Sequence, residues 1–316
     1  MKTYITLFIA SCISFASYAT TNPKRTKLLN QVFELLESRI ANPYWLEETA
    51  YIEFKETLYS EEALALSDED FMRLFNKGRA KLPFSHFQIL TSKKKQSKGK
   101  KKSTSKKEPL VSWKEINSTT AYLRVKSFGI RAQQMQSVLD QIGKDTYDNL
   151  IIDLRNNTGG NLEGPVALGK FLTNMDIDAG VYLTRKWYQN HTATATQEQI
   201  QDLPYLKDFT YQGIGKMFQE EAAFRMVIPG HSHPTFKGKV YVLINKNTAS
   251  ANEPLIDLFK KNDIVTLVGA TSAGEMLSGQ RFKVNKHYDV FLPISDYVTA
   301  DGSRIDRVGV SPDIEV

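Results

Sequence analysis

Leu150-Ile151-Ile152-Asp153-Leu154-Arg155-Asn156-Asn157-Thr158-Gly159-Gly160 joins a short, unbroken apolar run to a polar loop that ends in two glycines. A run too short for a helix and without alternation marks a strand buried on both faces. A helical pattern follows, with Val166, Leu168, Phe171 and Leu172 along it. The order recurs downstream, where Lys239–Ile244 reads as a second buried strand, a small-residue loop comes next, and residues 255–261 read as a helix. Upstream, residues 121–128 alternate as a strand, and Met135, Val138, Leu139 and Ile142 share one helix face. Strand, loop and helix repeated in this way predict an α/β fold with parallel strands over residues 111–316. Residues 187–236 are irregular and polar-aromatic, and read as an insertion over one face; no internal repeat is visible.

Residues 24–90 form a helical subdomain by pattern: Leu28, Leu29, Val32, Leu35 and Leu36 share one face, and Ser67 is placed to cap a helix carrying Phe71 and Leu74. Residues 91–110 then turn to Ser, Lys, Thr and Gly, a Lys-rich linker with almost nothing to bury. With 41% hydrophobic and 24% charged residues over 316 positions, the whole chain is not disordered. Its formal charge of +6 belongs to that linker: nine lysines lie between Lys93 and Lys107, and removing them leaves −3. A basic face for nucleic acid is therefore not expected.

Lys2, an apolar run from Tyr4 to Ala16, and Ser17-Tyr18-Ala19 read as an export signal over residues 1–19, cut after Ala19. This predicts a periplasmic or secreted protein without stable membrane insertion after signal removal. The single cysteine, Cys12, lies in the signal, so cysteine catalysis and a cysteine zinc site are excluded from the mature chain. The alternative is a lipoprotein box ending at Cys12.

Two loops carry candidate chemistry. Asn247-Thr248-Ala249-Ser250-Ala251-Asn252-Glu253 sits between a buried strand and a helix, where a turn can expose a serine hydroxyl and helix N–H groups face a developing anion. A serine there is also a simple N-cap. The paired glycines Gly159-Gly160 suit close backbone approach to a ligand, but lack dinucleotide or P-loop spacing. Of five histidines, His86 follows Ser85; His231 and His233 are a weak metal pair; His191 and His287 stand in no motif.

Residues 153–160, residues 248–253, Leu267-Val268-Gly269-Ala270-Thr271-Ser272-Ala273-Gly274 and the ending Gly309-Val310-Ser311-Pro312-Asp313-Ile314-Glu315-Val316 together resemble the tail-specific, or C-terminal processing, serine protease family. That family includes the tricorn-core proteases and the interphotoreceptor retinoid-binding protein. The resemblance implies a crotonase-like core of repeated strand-strand-helix units and Ser250 as nucleophile. It also marks departures: Glu275 stands where the processing branch has its lysine base, and the linker stands where that branch carries a PDZ domain. Ser85-His86 and Asp306 instead match the tricorn-like branch, implying His86 as base and Asp306 as the acid that orients the imidazole directly or supports it through an intervening hydroxyl, with Ser85 either hydrogen-bonded within the tetrad or only shaping the turn. Gly160 and Ala251 N–H groups are then the oxyanion-hole candidates, with Gly159 the neighbouring option, and Glu275 and Glu253 are alternative acids that also have structural readings.

The expectation is an exported serine peptidase acting on protein or peptide substrates without a cofactor. The rivals are an inactive ligand- or peptide-binding protein on the same fold, and an esterase using the same serine.

Overall fold

A computed structural model of the chain describes residues 22–92 and 108–316. The expected export signal over residues 1–19, with Cys12, and the lysine run 93–107 lie outside the described residues.

Helices α1 (Pro23–Arg39), α2 (Thr49–Tyr59), α3 (Glu61–Ala65) and α4 (Asp68–Arg79) come first. The apolar stripe of α1 turns Leu29, Val32, Phe33 and Leu36 inward, and Ser67 caps α4 by accepting from Asp70 N–H at 3.1 Å. These helices close over strand β1 (Gln88–Thr91) through an aromatic cluster of Phe33, Phe54, Phe75 and Phe87. Phe84 stacks on Trp45 at 5.4 Å, and Phe84 and Phe87 are both buried. Each buried ring contributes roughly 1.5–3 kcal/mol, so the intervening Ser85-His86 is pinned from both sides.

The remainder runs β2 (Val111–Asn117), β3 (Thr120–Val125), α5 (Ala132–Ile142), β4 (Asn149–Asp153), α6 (Glu163–Leu172), β5 (Ile177–Thr184), α7 (Arg185–Tyr188), α8 (Gln197–Gln201), α9 (Tyr211–Glu220), β6 (Ala223–Ile228), β7 (Lys239–Ile244), α10 (Asn252–Lys261), β8 (Thr266–Gly269), β9 (Ser278–Lys283), β10 (Tyr288–Val298) and β11 (Ile314–Glu315). One sheet has the order β11-β8-β7-β4-β3-β2, parallel except for the β2/β3 hairpin. Its apolar faces pack with α5, α6 and α10 in one continuous core. The parallel α/β expectation is met there.

A second, antiparallel sheet, β1-β10-β5-β6 with β9 also on β10, was not legible from the pattern. Pro293 lies within β10 beside a register shift, and proline demotes a run that otherwise reads as a strand. The stretch read as irregular contains regular elements, α8, α9 and β6, the last paired with β5. The helical half seats on this second sheet, where Leu277, Val290 and Leu292 join its core. β1 pairs with β10 in the register Gln88↔Phe291, which brings Ser85-His86 beside the second half of the chain.

Candidate active site

The loops after β4 and β7 leave the same end of the parallel sheet, the end at which α/β folds place ligands. They are tied together by Thr248 Oγ1 donating to Leu154 O (3.0 Å), Ala249 N to Asn157 O (3.0 Å) and Asn252 Nδ2 to Asn157 O (2.9 Å). Thr248, Asn157 and Asn252 are fully buried, so these bonds are shielded from water. At the half-buried tip Ser250 takes the left-handed conformation, φ 60°, sparsely populated for a serine. The N-cap of α10 is Ala251, with no side-chain cap bond, and Ser250 Oγ makes no hydrogen bond among the described residues. Capping is not what this hydroxyl does.

Glu253 holds the turn from below. Its buried carboxylate accepts from Ser250 N (2.9 Å), Glu275 N (2.9 Å), Gly274 N (2.7 Å) and Ser272 Oγ (2.7 Å). Burial pushes its pKa up to about 7, against the four donors, which favour the charged form. Glu275 thus contributes a backbone donor, and its side chain is not among the groups lining the cavity described below.

His86 is also left-handed, φ 63°, with its ring 5.6 Å from that of Phe291. Ser85 Oγ lies 2.7 Å from His86 Nδ1 and 2.6 Å from Asp306 Oδ1. A hydroxyl has one proton; given to the carboxylate, it leaves the oxygen to accept from Nδ1–H, and the imidazole Nε2 keeps its lone pair. Asp306 also accepts from Ser85 N (3.1 Å) and Met276 N (2.9 Å). Burial raises the Asp306 pKa, opposed by the Ser85 bond and by the charges of Arg307 and Arg304. Burial, then Arg307 and Arg79, lower His86 to about 4, so the ring is neutral at pH 7.

Behind Asp306 runs a network that the sequence did not announce. Arg304 Nη2 lies 4.0 Å from Asp306 Oδ2 and is buried without a hydrogen-bond partner. Its Nη1 donates to the buried Asp296 at 2.9 Å, which also accepts from Tyr188 OH at 2.7 Å.

Ser250, Ala251, Gly160 and His86 line one cavity of about 620 Å³. Gly160 N–H and Ala251 N–H have no acceptor among the described residues, whereas Gly159 N–H donates to Asn157 Oδ1 at 2.9 Å and is engaged. Gly159 instead serves by its lack of a side chain (φ 93°), pressed against the Ser250 turn. Ser250 and His86 are not hydrogen-bonded to each other. Phe209, Ile214 and Phe218, from α9 and the segment before it, supply an apolar wall.

The other histidines lie elsewhere. His191 stacks on Trp187 at 3.8 Å, and His231 Nε2 meets Lys170 O at 2.8 Å with His233 N donating to its Nδ1. No group of three or more potential metal ligands occurs among the described residues.

The model of peptidase family S41 matches residues 119–316. A carboxyl-terminal-processing protease of Synechocystis is 26% identical over 198 residues, covering 62% of this chain and 37% of the relative. A carboxy-terminal processing protease of Bacillus subtilis is 24% identical over 188 residues, covering 58% and 32%. The chain thus spans about a third of the length of these curated relatives. Among solved structures, a putative peptidase of Parabacteroides merdae superposes with a TM-score of 0.57 at 13% identity, covering 94% of this chain and 89% of that one. The photosystem II D1 C-terminal processing protease gives 0.52 at 14%, covering 93% and 92%, and a lipoprotein of Streptococcus agalactiae 0.53 at 16%, covering 99% and 94%. These likenesses concern the fold. On the family match, the chain belongs to peptidase family S41.

Proposed function

We propose that the protein is an exported serine peptidase in which Ser250 attacks the peptide carbonyl, His86 is the general base and Asp306 supports it through Ser85. The observation that carries this reading is the Asp306–Ser85–His86 chain of short contacts, 2.6 and 2.7 Å, ending in a neutral imidazole that shares its cavity with Ser250. Nε2 takes the Ser250 proton as Oγ bonds to the carbonyl carbon. The imidazolium charge is met at Nδ1 by Ser85, whose own proton leans on the Asp306 carboxylate. Gly160 and Ala251 N–H groups receive the oxyanion. The proton then passes to the leaving amine, and water hydrolyses the acyl-enzyme by the reverse route. No step in this scheme requires a metal or organic cofactor.

The missing Ser250–His86 hydrogen bond is made on substrate binding in this account, since catalytic contacts tighten in the Michaelis complex. The same gap favours a second reading, a peptide-binding protein with an unproductive site. Digestion of a mixed peptide library separates the two: wild-type protein yields cleaved peptides and Ser250→Ala none. Equal digests from both proteins eliminate the peptidase reading, and turnover confined to p-nitrophenyl esters favours an esterase.

The parallel core, with βα units β3-α5-β4, β4-α6 and β7-α10-β8, supports a crotonase-like assignment, and residues 24–90 are the part that brings the base to it. Export rests on residues 1–19. No helix among the described residues is long and apolar enough to cross a membrane.

A further inference from the structure

Arg304 approaches the acid of the relay from the protein interior. Its guanidinium lies between two buried carboxylates, with Nη1 2.9 Å from Asp296 Oδ2 and Nη2 4.0 Å from Asp306 Oδ2. The guanidinium carbon sits 5.3 Å from the centre of the Trp45 ring, which stacks on Phe84. Asp296 has other donors, Tyr188 OH at 2.7 Å and Tyr297 N–H at 2.8 Å, so it is held without Arg304. Nη2, by contrast, is buried with no hydrogen-bond partner among the described residues. A buried donor left unpaired is costly, and the group this one faces is Asp306.

Asp306 is met from several elements. Ser85 Oγ and Met276 N–H bond Oδ1, Ser85 N–H bonds Oδ2, and His86 stands beyond Ser85. Arg307 follows in the chain, but its side chain is exposed and donates to the carbonyls of Arg79 and Phe84, with Glu275 and Arg79 the charged groups around it. Water and salt therefore screen Arg307, whereas the buried face of Arg304 acts through protein. Burial favours the neutral acid, yet only a carboxylate can meet an imidazolium through Ser85.

We propose that Arg304 is a positioning residue of the relay: shared between Asp296 and Asp306, its charge keeps Asp306 a carboxylate aimed at Ser85. The consequence for turnover rests on the peptidase reading, but the effect on Asp306 does not.

The test compares Asp296→Asn with Asp296→Asn/Arg304→Gln, so that removing the guanidinium does not strand the Asp296 charge. Rates of labelling by diisopropyl fluorophosphate are followed across the acid limb. Losing the cation raises the proton affinity of Asp306, so the limb of the double variant is expected about one pH unit higher, with rates at about pH 8 within about threefold. Asp296→Asn/Arg304→Lys, which keeps the charge, is expected to stay with Asp296→Asn. A packing role instead lowers the rate by one factor at every pH. Superimposed limbs, a uniform fall, or a lysine variant that follows the glutamine one overturns the proposal. Thermal melts check folding, and Arg304→Met replaces Arg304→Gln if that variant unfolds. Should neither neutral variant fold while the lysine one does, Arg304 serves stability and the proposal falls. The ¹³Cγ resonance of Asp306, followed in the Ser250→Ala background and identified by its loss in Asp306→Asn, separates the two claims. A wild type that takes no label, with this resonance titrating at higher pH once Arg304 is neutralised, removes the peptidase reading and leaves the charge claim; labelling without that shift does the reverse.

Discussion

Gly159 and Ser250 meet so closely that a methyl group on the Gly159 Cα would stand 2.7 Å from the Cβ of Ser250 and 3.0 Å from the Ala249 carbonyl. Contacts that short force one backbone to move, and the φ of 93° at Gly159 strains any other residue. Gly159→Ala is therefore expected to lower kcat/KM by about 10²-fold or more by displacing the nucleophile, with about 1–3 kcal/mol lost in denaturant melts. Full activity in that variant contradicts the placement of the two loops.

Ser85 is predicted to act as a relay. Ser85→Ala leaves His86 Nδ1 without a partner and removes the hydroxyl from the donors to the buried Asp306, which keeps Ser85 N and Met276 N, and turnover should fall about 10²-fold. His86→Ala and Asp306→Ala should cost more, near the 10³–10⁴-fold typical of lost general-base chemistry. Glu275→Gln, whose side chain stays off the cavity, should be close to silent in the same assay. Damage from Glu275→Gln with Asp306→Ala silent would reverse the assignment of the acid.

The pH dependence of the base follows from its surroundings. His86 ionises near 4 in the folded protein against 6.5 for a free imidazole, so the base stays available well into acid. The acid limb of kcat/KM should fall below pH 6.5, and Arg79→Gln, which removes one of the lowering charges, should move it upward. The unfolded chain binds the extra proton between those two values, so this residue makes stability fall as pH drops from about 6.5 to about 4. His86→Gln should flatten that part of a pH–stability curve.

Glu253 has the opposite sign. Its folded pKa of about 7 lies above the unfolded 4.5, so the native state binds the extra proton. The associated stability is present below pH 4.5 and is lost as pH rises to about 7. Glu253→Gln should abolish that slope. It also turns an amide NH₂ toward two of the four donors, which is expected to cost about 1–3 kcal/mol in stability. A Glu253→Gln curve parallel to wild type over that window contradicts the buried carboxyl.

The parallel core was legible because each of its units carries its own signal: a short apolar run, a loop of small and polar residues, then a 3.6-residue stripe. Ser67 was legible as a cap for the same local reason. β10 was not, because Pro293 and the register shift beside it break the strand pattern. The candidate site was legible at Ser250 and the glycines, which sit on loops next to those strands. His86 and Asp306 carry no periodic signal, and only the resemblance pointed to them; 221 residues of chain separate Ser85 from Asp306. The Tyr188–Asp296–Arg304 network and the four donors on Glu253 depend on tertiary geometry that no spacing encodes.

The central claim is that His86 activates Ser250. Mass spectrometry of tryptic peptides after treatment with diisopropyl fluorophosphate tests it most directly, comparing wild type with Ser250→Ala and His86→Ala. The account predicts a diisopropylphosphoryl adduct on the peptide containing Ser250 in the wild type, none in Ser250→Ala, and labelling slowed by at least about 10²-fold in His86→Ala. An unmodified Ser250 in the wild type, or equal labelling rates with and without His86, would contradict it.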